Sequence, residues 1–261
     1  MESDVRERSN LDLCIIASTS DLPRLENTIK HIPNVDNIYI LENKKSETGE
    51  ESLKLINQAG PIHHYLWEWN DTHFHFANAR NKVVSLSSNE WIIWMDCDDS
   101  LHPADCEWIN NNLATFTDDV GGVMFGCSGL AYFEDCTIEE LADVPGLSMA
   151  NWGYWSSPTI RIIRRNIAKW TGRVHEQVLK CILENGKRML ISDIMVKHRG
   201  YVTTLDTYIH KMERNKALLE LELNENSDFD TIYMEYLDNT IKSLQGLLEL
   251  RDKKQQNRDS A

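Results

Sequence analysis

A mostly parallel α/β sheet flanked by helices, followed by an α-helical hairpin, is the architecture the sequence predicts. Three observations carry it. Strand-like and helix-like segments alternate from Leu11 to Cys127. A short apolar run from Trp91 to Met95 breaks into carboxylates at Asp96, Asp98 and Asp99. From Leu205 to about Leu250 there is no proline, and Gly246 is the single glycine in a helical pattern. Alternating strands and helices imply a parallel sheet with helices on its faces.

In chain order, residues 1–10 read as a loose tail. Residues 11–17 are apolar enough for a first buried strand, which exits at Ser18-Thr19-Ser20. Asp21 can cap the next helix, whose face carries Leu25, Ile29 and Ile32 before Pro33 ends it. Residues 37–41 and 62–66 read as the second and third strands, with a short helix from about Glu50 to Gly60 between them. Phe76, Ala79, Val83 and Leu86 fall on one helical stripe. The run 91–95 is the central strand. A buried strand does not tolerate unpaired charge, so its acids belong just past its end, where open α/β sheets bind ligands. Pro103 opens a helix bearing Cys106, Ile109, Leu113 and Phe116. Residues 122–127, 159–163 and 189–196 read as strands, and 134–157 as a loop-rich region holding Trp152, Tyr154 and Trp155. Helical spacing resumes at 205–250, with a break at 224–228 where Ser227 or Asp228 can cap the second helix. Residues 251–261 read as a charged, frayed tail. The expected units are therefore a tail (1–10), a catalytic domain (11–204), a helical hairpin (205–250) and a second tail (251–261).

The totals narrow the classes. A chain of 261 residues accommodates one large α/β domain plus an appendage. No apolar stretch reaches the roughly 18–20 residues of a membrane span, and the charged N-terminus has no signal-peptide core. Six cysteines without a C-x-x-C pair indicate neither a zinc site nor a disulfide framework. A soluble cytoplasmic protein with reduced thiols is expected. The net charge of −14 opposes broad binding to nucleic acid or anionic membrane. The balance is uneven, however. Residues 151–200 carry ten Lys/Arg against three Asp/Glu, which suits a local anionic ligand such as a diphosphate or, more simply, a solvated face. Asp-x-Asp alone is common in surface turns. It gains meaning from the buried strand that delivers it.

Four motifs, in this order and spacing, resemble a known family. Phe76-Ala77-Asn78-Ala79-Arg80-Asn81 resembles an F-x-x-A-R-N helix. The segment 91–99 resembles a strand ending in D-x-D-D/E. Trp170-Thr171-Gly172-Arg173-Val174-His175-Glu176 is similar to x-G-x-V-H-E, and Val196-Lys197-His198-Arg199-Gly200-Tyr201 to I-x-H-x-G-Y. Together, over roughly residues 11–220, the chain resembles family-2 glycosyltransferases with a GT-A nucleotide-sugar fold. It is nearest the soluble branch that often carries C-terminal helical repeats. It departs from them at Leu41-Glu42-Asn43-Lys44-Lys45-Ser46, where an Asp and a G-S-x-D loop are usual, and at Cys97, where a small residue is usual.

The resemblance implies a metal-dependent transfer of sugar from a nucleotide sugar, UDP-linked in the first instance, with inversion. Carboxylates suit Mn²⁺ or Mg²⁺. Asp98 is the first candidate ligand, with Asp96 touching the metal or the ribose. His198 is the third, against the ordinary reading of a strand-end histidine. Glu176 is the candidate base, beside His175, and Asp99 is the next; Glu176 could equally be tied to Arg173 or Lys180 in a salt bridge. Thr19 and Glu42 are placed for base and ribose. Arg80, Arg173 and Arg199 are placed for the diphosphate, whereas Arg164 and Arg165 read as surface residues. The acceptor is open: a hydroxyl or thiol on a protein or peptide, a glycan or, less favoured by charge, modified nucleic acid. The hairpin could pack on the domain, grip an acceptor or form a homodimer. Two other readings are a nucleotidyltransferase, which would want a glycine-rich loop after the first strand, and a non-catalytic partner-binding scaffold.

Overall fold

The computed structural model of the chain describes residues 9–18, 21–43, 61–67, 74–142, 144–145, 153–199, 202–225 and 231–259. The helix expected at 50–60, Thr19, Trp152, and the cap at Ser227 or Asp228 lie outside these residues. The strands are β1 (Leu11–Ser18), β2 (Asn37–Asn43), β3 (Ile62–Trp67), β4 (Trp91–Met95), β5 (Asp99–Ser100), β6 (Val120–Phe133), β7 (Gly153–Arg164), β8 (Arg188–His198) and β9 (Val202–Thr203). They form one sheet in the order β3-β2-β1-β4-β7-β6-β8-β5, with β9 beside β6. Strands β1 to β4 pair in parallel. Beyond them β7 runs antiparallel to both β4 and β6, while β6 is parallel to β8. The expected α/β class holds, with an antiparallel strand at the centre of the sheet.

The helices are α1 (Leu22–Ile29), α2 (Phe76–Leu86), α3 (Pro103–Asn112), α4 (Ile138–Ala142), α5 (Leu179–Glu184), α6 (Leu205–Glu225) and α7 (Thr231–Asp259). Successive side chains of a strand point to opposite faces, and both faces of the sheet are covered. In β4, Trp91, Ile93 and Met95 join one core with Leu11, Leu13 and Ile15 of β1, while Ile92 and Trp94 join the other. This is why 91–95 reads as a continuous apolar run. The stripe of α2 packs Ala79 and Val83 into the second core; Ile109 and Leu113 of the α3 region enter the first. Asp21 stands at the start of α1 but makes no cap. Its carboxylate turns back to accept the Ser18 N–H at 3.0 Å.

Four expectations need correction. The region 134–157 is not all loop, since it contains α4 and the start of β7. From Gly153 the chain belongs to the extended pairing of β6 with β7, which runs from Gly122↔Ile163 to Ala131↔Gly153. Arg164 is buried, with Nε donating to the Val120 carbonyl at 2.7 Å and its guanidinium paired with Glu90. Residues 251–259 continue α7, where Lys254 bonds both oxygens of Glu140 at 2.9 and 2.8 Å. The basic segment 151–200 is partly neutralised from within, because Arg161, Arg164 and Arg173 pair with Asp99, Glu90 and Glu225 from outside it.

The hairpin of α6 and α7 packs on the sheet domain. Leu218, Leu219 and Tyr233 join the second core beside Trp170 and Val174. Leu205, Ile209, Leu247 and Leu250 close a third core over Phe133, Leu141 and Val144. Gly246 makes that contact possible: a Cβ there would lie 2.6 Å from Pro145 Cδ and 2.8 Å from Val144 Cγ1. Among the described residues no helix is long and apolar enough to cross a membrane, and all six cysteines are free thiols.

Candidate active site

Strand order reverses between β1 and β4, since β2 and β3 extend from one side of β1 and β4 lies on the other. Open α/β sheets bind ligands at such a switch, beyond the carboxyl ends of the strands. Asp96 to Asp99 occupy this position. Their turn is closed by its own groups: Asp99 N–H donates to the Asp96 carbonyl at 3.1 Å, and Asp96 N–H to Asp99 Oδ2 at 2.8 Å. β5 then pairs Asp99 with His198 of β8, bringing the histidine to the same turn. His198 Nδ1 lies 2.8 Å from Asp99 Oδ1 and 3.3 Å from Asp98 Oδ1.

Asp96, Asp99 and His198 each offer a ligand atom within 4.8 Å of the others. Sequence reasoning grouped Asp96, Asp98 and His198; the convergent trio contains Asp99 in place of Asp98. Asp98 sits beside it, 3.8 Å from Arg24. Electrostatics separates the acids. Burial would raise the Asp96 carboxyl, but Arg80, Arg161 and His198 outweigh it and hold it at about 2. Burial raises Asp98, and the charges of Asp96 and Asp99 add to the rise. Burial would lower His198, but its bond to Asp99 and the surrounding carboxylates raise it.

Two arginines stack on the Trp94 ring, with Cζ at 3.8 Å for Arg80 and 3.9 Å for Arg161. Arg80, from α2, donates Nε to Glu176 and lies 3.2 Å from Asp96. It therefore links the candidate base to the carboxylate turn, and is 6% exposed. Glu176 is bonded to Arg80 across 96 positions, rather than to Arg173 or Lys180.

Glu176 belongs to the loop 171–177, which is closed by a two-way backbone pairing of Thr171 with Gln177 at 2.9 Å. Gly172 has φ +94° and His175 φ +55°. A Cβ at Gly172 would fall on the Tyr233 hydroxyl, so only glycine satisfies both the backbone and this neighbour. Arg173 faces away from the acids: its N–H donates to Glu222 at 2.8 Å and its guanidinium pairs with Glu225, both on α6. His175 is exposed and packs its ring 4.4 Å from Tyr236 of α7. Asp96, His198, Glu176, His175 and Tyr236 all line one cleft of about 470 Å³.

The remaining expected residues are more dispersed. Glu42, at the end of β2, is fully buried and bonds His64 of β3 at 2.7 Å. Arg199 is exposed, with its N–H 3.3 Å from the Asp98 carbonyl. Asp99 is fully buried. Three residues were missed. Trp94 was read only as core, and Arg161 only as part of the strand 159–163. Lys211 of α6 lies within the field of Asp98 and Asp96, which oppose a downward shift caused by burial and Arg214. Nothing in a helical heptad marks such a lysine, because its neighbours come from another domain layer.

Residues 14–139 match the model of glycosyl transferase family 2. No curated protein matches the chain. Similar solved structures include the mannosyltransferase PcManGT from Pyrobaculum calidifontis in complex with GDP-Man and Mn²⁺, at 12% identity and TM-score 0.49, covering 96% of this chain and 77% of that one. Residues 1–349 of S. aureus TarS in complex with UDP are similar at 13% identity and TM-score 0.45, covering 91% and 70%. The same region in complex with UDP-GlcNAc is similar at 10% identity and TM-score 0.41, covering 92% and 72%. Residues 14–139, which carry β1 to β4, the switch point of the sheet and the carboxylate turn, are thus similar to glycosyl transferase family 2.

Proposed function

We propose that the protein transfers a sugar from a UDP-linked donor to an acceptor hydroxyl with inversion, using a divalent cation. The observation that supports this most is a cleft in which Asp96 and His198, two of the cation-competent trio, stand beside Glu176. The donor set fits a hard-to-borderline divalent ion, two carboxylates and an imidazole. His198, donating Nδ1–H to Asp99, keeps its lone pair at Nε2, the tautomer common in metal-ligating histidines. Mn²⁺ or Mg²⁺ bound there supplies charge neutralisation for a departing diphosphate.

The chain's own groups do the rest. Glu176 accepts the acceptor's proton as its oxygen attacks the anomeric carbon and the bond to the diphosphate breaks. Arg80 holds Glu176 by one oxygen and links it to Asp96, setting the distance between proton removal and leaving-group departure. Asp99, enclosed and bonded on both oxygens, suits a structural role in the cation site better than that of an acceptor base. Arg173, turned to α6, suits the hairpin joint better than the diphosphate.

The test is a thermal-shift titration with UDP, GDP and CDP, each with Mn²⁺ and with EDTA. Ligand that binds only the native state raises its stability. The expected result is a Mn²⁺-dependent rise with UDP that is lost in Asp96→Ala, with Asp98→Ala reporting whether that residue also ligates. A rise with GDP instead would correct the donor base. No rise with any nucleotide would overturn the reading.

A further inference from the structure

Arg161 is a buried charge that the transfer chemistry above does not use. It sits on β7, between β4 and β6, and is 2% exposed. Its guanidinium lies over the Trp94 ring, and Nη1 is 2.8 Å from Asp99 Oδ2 and 3.4 Å from the Trp94 carbonyl. Nη2 reaches Cys127 Sγ at 3.7 Å, and Nε has no hydrogen-bond partner. A cation enclosed with a donor unsatisfied is expensive. A side chain that only filled the sheet would be better served by leucine or methionine.

Asp99 explains what the cation holds. Oδ2 takes both Arg161 and the Asp96 N–H at 2.8 Å, while Oδ1 takes His198 Nδ1 at 2.8 Å. One carboxylate thus touches the backbone of one member of the trio and the ring of another. Its rotation about the Cβ–Cγ bond would move both. Arg161, stacked on Trp94 in the wall of the same cleft, restricts that rotation.

We propose that Arg161 is a positioning residue for the cation site. Acting through Asp99, it keeps the His198 ring and the Asp96 backbone in a binding arrangement. This rests on the reading of Asp96, Asp99 and His198 as the cation site. Removing an outer partner of a metal ligand typically weakens metal binding about 10–100-fold. Lysine preserves the charge but not the planar fork or the stacking.

The experiment is a Mn²⁺ titration, without nucleotide, followed by the electron paramagnetic resonance of free Mn²⁺. It compares wild type, Arg161→Lys, Arg161→Met and Asp96→Ala, each checked for folding by circular dichroism. Affinity should fall in the order wild type, Lys, Met, with the Met variant at least ~10-fold weaker. Equal Mn²⁺ affinity in folded Arg161→Met, with binding abolished in Asp96→Ala, would overturn this proposal and leave the cation site standing. Binding in Asp96→Ala equal to wild type, or none in wild type, would overturn the cation site itself. If the Met variant does not fold, the Lys variant decides, and equality with wild type refutes. Wild type alone supplies a further check. Long-range ¹H–¹⁵N correlation at alkaline pH should find the His198 proton on Nδ1; a proton on Nε2 would refute the relay.

Discussion

The two loops that meet in the cleft are held by opposite means. The carboxylate turn, Asp96 to Asp99, is fixed by the sheet. It follows β4 directly, hydrogen-bonds to itself, and is pinned at Asp99 by pairing with β8. The loop 171–177 is not part of the sheet; it has one isolated bridge between Thr171 and Gln177, and α2 reaches it through the Phe76 N–H on the Arg173 carbonyl at 2.8 Å and through Arg80 on Glu176. Side chains from the hairpin hold its other side: Tyr233 against Gly172, Glu222 on the Arg173 N–H, Tyr236 on the His175 ring. The difference teaches that the candidate cation site and the candidate base are separately tunable. The first depends on the sheet, the second on α6 and α7 together with the start of α2, and Arg80 of α2 is the bridge between them.

The largest effect tests that separation at its end point. Glu176→Gln keeps the shape and an acceptor for Arg80 but removes the candidate base. The rate of transfer should fall by about 10²–10⁴-fold, while Mn²⁺-dependent nucleotide binding, read by thermal shift, stays at the wild-type level. Joint loss of both would mean that the two loops form one unit.

Next comes the hairpin as a support. Leu247 is fully buried in the core shared with Phe133 and Leu141. Leu247→Ala should cost about 2–5 kcal/mol in urea unfolding, in a single transition. Two separate transitions would show that the hairpin folds apart from the sheet and cannot hold the loop.

Gly172→Ala is the sharper probe. It places a Cβ at φ +94° against Tyr233 and should cost about 1–3 kcal/mol. Transfer rate should fall because Glu176 moves, and Mn²⁺ affinity measured by calorimetry should not. An equal loss of metal affinity would break the comparison.

The smallest effect lies at the far end of α7. Hydrogen bonds from Lys254 and from the Thr137 N–H hold the Glu140 carboxyl below its usual range. A depressed carboxylate contributes stability above its unfolded pKa and loses it as pH falls through the folded one. Lys254→Met should therefore cost under about 1 kcal/mol near neutral pH. The difference should vanish in acid, as followed by thermal melts across pH.

Much of this was legible in the chain. The central strand, the acids past its end, the α2 stripe and the hairpin follow from periodicities of two and 3.6. The span 91–95 was read at its observed limits, and the stripe from Phe76 to Leu86 falls on the observed helix, because local burial alone fixes them. The partners of the charges were not legible. Glu176 was read against its sequence neighbours Arg173 and Lys180, yet it meets Arg80. Nothing in the run 159–163 singled out Arg161, because an interior strand rarely holds a cation. Its justification, Asp99, lies 62 positions earlier in the sequence. The continuation of α7 past 250 was hidden for a related reason: its support comes from Glu140 rather than from an apolar stripe.

The sequence by itself determined the family resemblance, the parallel half of the sheet and the place where carboxylates emerge. These depend on short-range backbone geometry and on which residues avoid water. Only the tertiary structure decided that Asp99 joins Asp96 and His198, that Arg80 spans Glu176 and Asp96, and that the hairpin packs on the loop bearing Glu176. Charge pairing is settled by distance in space, and the chain brings its cations to their acids only after the strands have crossed.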